Sequence, residues 1–151
     1  MLDIEDFKKK INEKSRLMGI DPGKRRVGIS ICDENRKIAT PYETIEYSNM
    51  DNLISRLKEI ISENNIKGVI FGLPLNMDGT EGSSAQSVKD KIKLITNEIN
   101  IPSISWDERL STVGSFNISS QLDVNVSKRV KNIDQNSATF ILQGVLDYLT
   151  K

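Results

Sequence analysis

"MGIDPGKRRVGIS", residues 18–30, sets an acid at the end of a short apolar run and then reverses the chain. Leu17, Met18 and Ile20 lead into Asp21, Pro22-Gly23 signals a turn, and Val27 resumes an apolar stretch. The pattern predicts two strands, 16–21 and 26–32, joined by "DPGKR". A carboxylate in that place has two readings. Asp before Pro-Gly starts a turn by accepting from the backbone ahead of it. An acid at the carboxyl end of a central strand also stands where α/β sheets build their sites.

Outward from this hairpin, residues 37–47 read as a third strand, with Pro41 marking a bend or a sheet edge. Asp51 is expected to cap a helix carrying Leu53, Ile54, Leu57, Ile60 and Ile61, ending near Asn64 and Asn65. "KGVIFGLPL" is a buried strand, and "NMDGTEGSS" after it an exposed loop. A helix over 85–98, a strand over 101–106 and a helix over 112–119 follow. A basic loop then runs to Asn132, ahead of a last helix over 134–149. Upstream, "DIEDFKKKINEK" places Ile4, Phe7 and Ile11 on one helical face. Residues 1–15 are therefore read as a helical appendage to a domain spanning 16–151. Three leading strands suit an antiparallel meander, and the alternation after them suits parallel strands with crossover helices. The fold class is α/β with a mixed sheet.

The 151 residues suit one domain, which can bury a core without disulfides. The single cysteine, Cys32, excludes an internal disulfide and cysteine-based zinc clusters, and points to a reducing cytoplasm. No apolar run reaches the roughly 18 residues of a membrane span. With no histidine, Ser-His-Asp triads, Cys-His dyads and the usual zinc sites are excluded. Carboxylates, Lys, Ser/Thr and hard metals on oxygen ligands remain. Twenty-one basic residues balance 21 acidic ones, so any nucleic-acid binding must rest on local patches.

Three segments then offer acids at element edges. Asp107 and Glu108 close the strand "ISISW" and precede Arg109. Neighbours on a strand point to opposite faces, so one of the pair at most joins Asp21 while the strand lasts. Asp134 lies in phase with Ala138, Ile141 and Val145 at the start of the last helix, where an N-cap role competes with a functional one. Acids gathered this way repel unless a cation lies among them, and Mg²⁺ or Mn²⁺ suits all-oxygen ligands. Lys24, Arg25 and Arg26 follow Asp21, and Lys128, Arg129 and Lys131 precede Asp134; each set could hold phosphates or simply be solvated.

Taken together, "GIDPGKRRVGIS", "GLPLNMDGTEG", "WDERLST" and "NIDQNSATFILQGVLD" resemble the YqgF/RuvX family, in order from about residue 17 to 149. The resemblance implies an RNase H-like fold, a five-stranded mixed sheet, and a nuclease using two Mg²⁺ or Mn²⁺ ions. It implies Asp21, Asp134 and one of Asp107 and Glu108 as metal ligands and catalytic residues. The implied substrate is nucleic acid: precursor 16S rRNA, trimmed at its 5′ end, with a four-way DNA junction as the alternative. A junction resolvase would need two sites and hence a homodimer. Asn76, in the glycine loop, and Arg109 join the basic residues as candidate substrate contacts, against a plain connector for the loop and pairing with a neighbouring acid for Arg109. Two other classes compete: a non-catalytic RNA-binding assembly factor, and an actin-like protein whose phosphate loop "DPGKRRVGIS" would imitate. No membrane partner is expected.

Overall fold

The computed structural model describes residues 2–11, 15–73, 83–107 and 126–149, the side chains of 83–85, 107 and 126–136 excepted. The expected loop at 76–84 and helix at 112–119 lie largely or wholly outside those residues. The elements are α1 (Ile4–Lys10), β1 (Arg16–Pro22), β2 (Arg26–Cys32), β3 (Ala39–Glu46), α2 (Met50–Glu63), β4 (Ile66–Leu73), α3 (Ser83–Ile99), β5 (Ser103–Asp107) and α4 (Val126–Leu149).

The strands form one sheet in the order β3-β2-β1-β4-β5. β1 and β2, and β2 and β3, pair antiparallel; β1 and β4, and β4 and β5, pair parallel. The hairpin thus supplies the central strand, and the two crossovers build outward from it. β3 is an edge strand, and its pairing with β2 slips between Ile29 and Ser30, opposite Glu43 and Pro41. A proline without an N–H belongs at such an edge.

Strand alternation sorts the core onto two faces. Met18, Ile20, Val69 and Phe71 pack with Leu53, Leu57, Val88 and Ile92 of α2 and α3. Leu17, Ile70 and Ile104 pack with Ile141, Leu142 and Val145 of α4. α1 shares that second face, since Phe7 is wholly buried in the same cluster. A methyl on Gly68 would lie 2.8 Å from Phe7 Cζ, so the β4 glycine makes room for the ring. Asn65 and Asn100, just past α2 and α3, have φ of 54° and 52°, a left-handed stop that Asn tolerates.

Several boundaries differ from the sequence reading: α1 ends at Lys10, with Ile11 its C-cap in extended backbone, and β3 and β5 begin two residues later than expected. The cap of α2 is Asn49, whose side chain accepts from Asn52 N at 2.9 Å; Asp51 sits in the first turn instead. The last helix begins at Val126, not at Asp134. Val126, Val130 and Ile133 keep the helical period upstream, and no glycine or proline interrupts it. Lys128, Arg129 and Lys131 therefore lie on helix rather than in a loop. Asp134 is two turns inside α4, so an N-cap or helix-end reading no longer explains it.

Candidate active site

Asp21 is the best-defined acid. It lies at the carboxyl end of β1, level with Gly28 of β2, and is 9% exposed. By alternation it shares the α4 face with Leu17 and Gly19. Close approach of α4 positions this face. A Cβ on Gly19 would lie 2.5 Å from Ser30 Oγ, 2.7 Å from Ala138 O and 2.9 Å from Leu142 Cβ. Only glycine admits that approach. Ser30 Oγ, buried between strand and helix, donates to Ala138 O at 2.7 Å. Asp134 is one turn before Ala138 and Asp21 two residues beyond Gly19, so the architecture brings the Asp134 turn toward the Asp21 end of β1.

Register relates this acid to β5. Ile20 pairs with Phe71, and Phe71 with Ser105; one step on, Asp21 is level with Gly72 and Trp106. Gly72 puts no side chain between β1 and β5, which are two strand spacings, or about 10 Å, apart. Trp106 packs on α4: its ring meets Tyr148 edge-on at 6.2 Å, and its Nε1 lies 3.2 Å from where a Gly144 Cβ would stand. It is core-packed, as its place in the apolar strand implies. Asp107 ends β5 in the next row, paired with Leu73.

The side chains of Asp107 and Asp134, and the residues Glu108, Arg109 and Asn76, lie outside the described set, as do the side chains of Lys128, Arg129 and Lys131. Among the described residues no group of three or more His, Cys, Asp or Glu forms a metal cluster. Cys32 is buried, with its Sγ accepting from Leu17 N at 3.2 Å, and burial pushes its thiol pKa up. It is suited to packing rather than to nucleophilic chemistry.

The basic turn after Asp21 borders an open cavity of about 1160 Å³, lined by Gly23, Lys24, Arg25, Arg26, Glu46, Tyr47 and Ser48. Lys24 and Arg25 are exposed. In the sequence Tyr47 carried no signal beyond ending the expected third strand, and Ser48 none beyond following it; only the β2–β3 pairing, with Arg26 opposite Glu46, carries them to the turn.

This sheet order with helices on both faces is an RNase H-like fold, the fold of junction-resolving nucleases. The Thermus thermophilus RuvC structure solved with a Holliday junction substrate shares it at a TM-score of 0.57, with 12% identity, covering 89% of this chain and 93% of that one. So does the fowlpox virus resolvase solved with Holliday junction DNA, at 0.56 and 14%, covering 90% and 99%. The chain belongs to the RuvX family, described as Holliday junction resolvase, whose model matches residues 15–148. A Pelagibacter ubique protein named "Putative pre-16S rRNA nuclease" is 60% identical over 149 residues, 99% of either chain. A Methylocella silvestris protein of the same name is 36% identical, covering 100% of this chain and 94% of its own.

Proposed function

We propose that this protein is a divalent-metal-dependent nuclease acting in the cytoplasm on precursor 16S rRNA, and that residues 16–151 are its catalytic domain. Residues 1–15 add a helix docked on the core through Phe7. The observation that carries the reading is Asp21, 9% exposed at the end of the central strand, on the face covered by the helix that bears Asp134. Nothing in the backbone requires an acid two turns inside that helix, which favours a role for Asp134 in the site.

The donor set fits a hard cation. Asp21 and Asp134 offer carboxylate oxygens, and one of Asp107 and Glu108 completes the set. Two Mg²⁺ or Mn²⁺ ions held there would supply activation of water and charge neutralisation on the departing 3′-oxygen. The protein's own part is to hold the anionic ligands at fixed depth and to bind the strand. Lys24, Arg25 and Arg26 hold phosphates beside Asp21; Lys128, Arg129, Lys131, Arg109 and Asn76 extend the contact.

A four-way DNA junction is the second reading, favoured by the family's description; it would require two copies. The test is to incubate the protein with a labelled precursor-rRNA fragment and with a four-way junction, in Mg²⁺, Mn²⁺ or EDTA. Cutting of the RNA in metal alone, reduced at least about 100-fold in Asp21→Asn and Asp134→Asn, is the expected result. Cutting that survives both substitutions overturns the site. Cutting of the junction alone transfers the reading to DNA, and binding without cutting makes the protein an assembly factor.

A further inference from the structure

The turn that carries Lys24 and Arg25 is tied down from the face opposite Asp21. Gly23 O accepts two hydrogen bonds, from Tyr47 Oη at 2.6 Å and from Lys91 Nζ of α3 at 3.1 Å. Tyr47 N donates to Arg25 O at 3.1 Å, so one residue grips both ends of the turn. Lys91 Nζ also lies 5.6 Å from the centre of the Tyr47 ring, within cation–π range. Gly23 itself is compelled, since a Cβ there would collide with Arg26 O. An ammonium is thus spent inside a turn that already carries Lys24 and Arg25, with Glu46 the one acid lining the cavity among the described residues. A hairpin needing only to close would not gather charge this way; an anion in the cavity would relieve it.

We propose that Tyr47 and Lys91 are positioning residues that fix the β1–β2 turn, so that Lys24 and Arg25 form one wall, and Ser48 the other, of a subsite for a phosphodiester strand. This rests on the nuclease reading for the identity of the ligand. Both act through the turn, and Lys91 is not among the residues lining the cavity. The lock holds the cationic wall in one place, so that little ordering is left to do when the strand arrives. Ser48 supplies a neutral donor to a phosphate oxygen, and the cations supply the attraction.

The experiment measures binding of a fluorescent single-stranded RNA of about 12 nucleotides, and of DNA of the same sequence, to the full chain in EDTA over a range of salt. Tyr47→Phe and Lys91→Met are expected to raise Kd by roughly three- to tenfold, the size of one lost hydrogen bond, with an unchanged salt slope. Lys91→Arg, which keeps a cationic donor, is expected to recover much of the affinity. Lys24→Ala is expected to lower the slope by about one, as a direct phosphate contact would. Thermal melts of each variant run alongside. Wild-type affinity in both Tyr47→Phe and Lys91→Met overturns the proposal, as does a reduced slope in Lys91→Met. Lost affinity in Lys91→Met that merely tracks a lower Tm and is not recovered in Lys91→Arg also overturns it, as a general structural effect. A wild type that binds neither strand overturns it too. Because no cutting is needed, a wild type that binds as described but never cuts in Mg²⁺ sinks the nuclease reading and leaves this subsite standing.

Discussion

Asp21 and Gly19 divide the work of one strand end. Asp21 provides the carboxylate of the proposed site; Gly19, by having no side chain, lets α4 come close. Ser30 Oγ, Ala138 O and Leu142 Cβ all stand within 2.9 Å of the point a Gly19 Cβ would take. Backbone and a buried hydroxyl cannot move aside as a flexible side chain can. Gly19→Ala is therefore expected to destabilise the fold by about 1–3 kcal/mol and to weaken cutting, because α4 and its Asp134 turn are displaced from β1. Urea denaturation beside a cleavage assay checks both effects. Wild-type stability would mean that the helix approaches less closely than described.

At the scale of elements, α2 is fastened to the edge strand by a forked ion pair. Arg56 Nε donates to Glu43 Oε2 at 2.9 Å and Nη2 to Glu43 Oε1 at 2.6 Å, while Nη1 reaches Glu59 at 2.9 Å. The hydrogen bonds from Arg56 hold the Glu43 carboxyl below its usual value of 4.5. A carboxylate whose pKa is lowered by folding contributes stability above its unfolded value and loses it as pH falls through the lower, folded one. Glu43→Gln is thus expected to cost up to about 1 kcal/mol near neutrality, the pair being partly exposed. The gap between wild type and variant should close as pH drops below about 4.5. Denaturation curves across that range check the sign; a gap that widens toward acid would contradict it. At the start of the same strand, Gln143 of α4 accepts from Ala39 N at 2.9 Å and donates to Lys37 O at 3.0 Å. α4 thereby satisfies backbone groups of the edge strand as well as covering the sheet.

The whole molecule is a three-layer arrangement in which α1 and α4 share one face of the sheet. Phe7 is 0% exposed, set against Gly68 and Leu17, and Tyr148 Oη of α4 donates to Glu5 of α1 at 3.1 Å. Although the family match begins at residue 15, the helix before it fills part of the core. Phe7→Ala is expected to destabilise the protein by about 3–5 kcal/mol, as for other buried aromatics, and to lower Tm in a melting experiment. A shift of less than about 1 kcal/mol would show that α1 merely rests on the domain.

Much of this was legible in residue order. Apolar alternation and the Pro-Gly turn announced β1 and β2, Pro41 marked the edge strand, and the 138, 141, 145 spacing marked the buried face of α4. Those signals are local: they depend on period and on turn chemistry within a few residues. The start of α4 was misread because a basic cluster and an aspartate imitate a loop and a cap, whereas the helical period of Val126, Val130 and Ile133 is thin. The identity of Asp21 as a candidate ligand could be read from its strand-end place. That Gly72 lies level with it, that Gly19 admits Ala138, and that Tyr47 and Lys91 meet on Gly23 O were decided only by the tertiary structure. Each of those depends on register between strands or on the approach of a distant helix, and pairings across tens of residues leave no periodic trace in the chain.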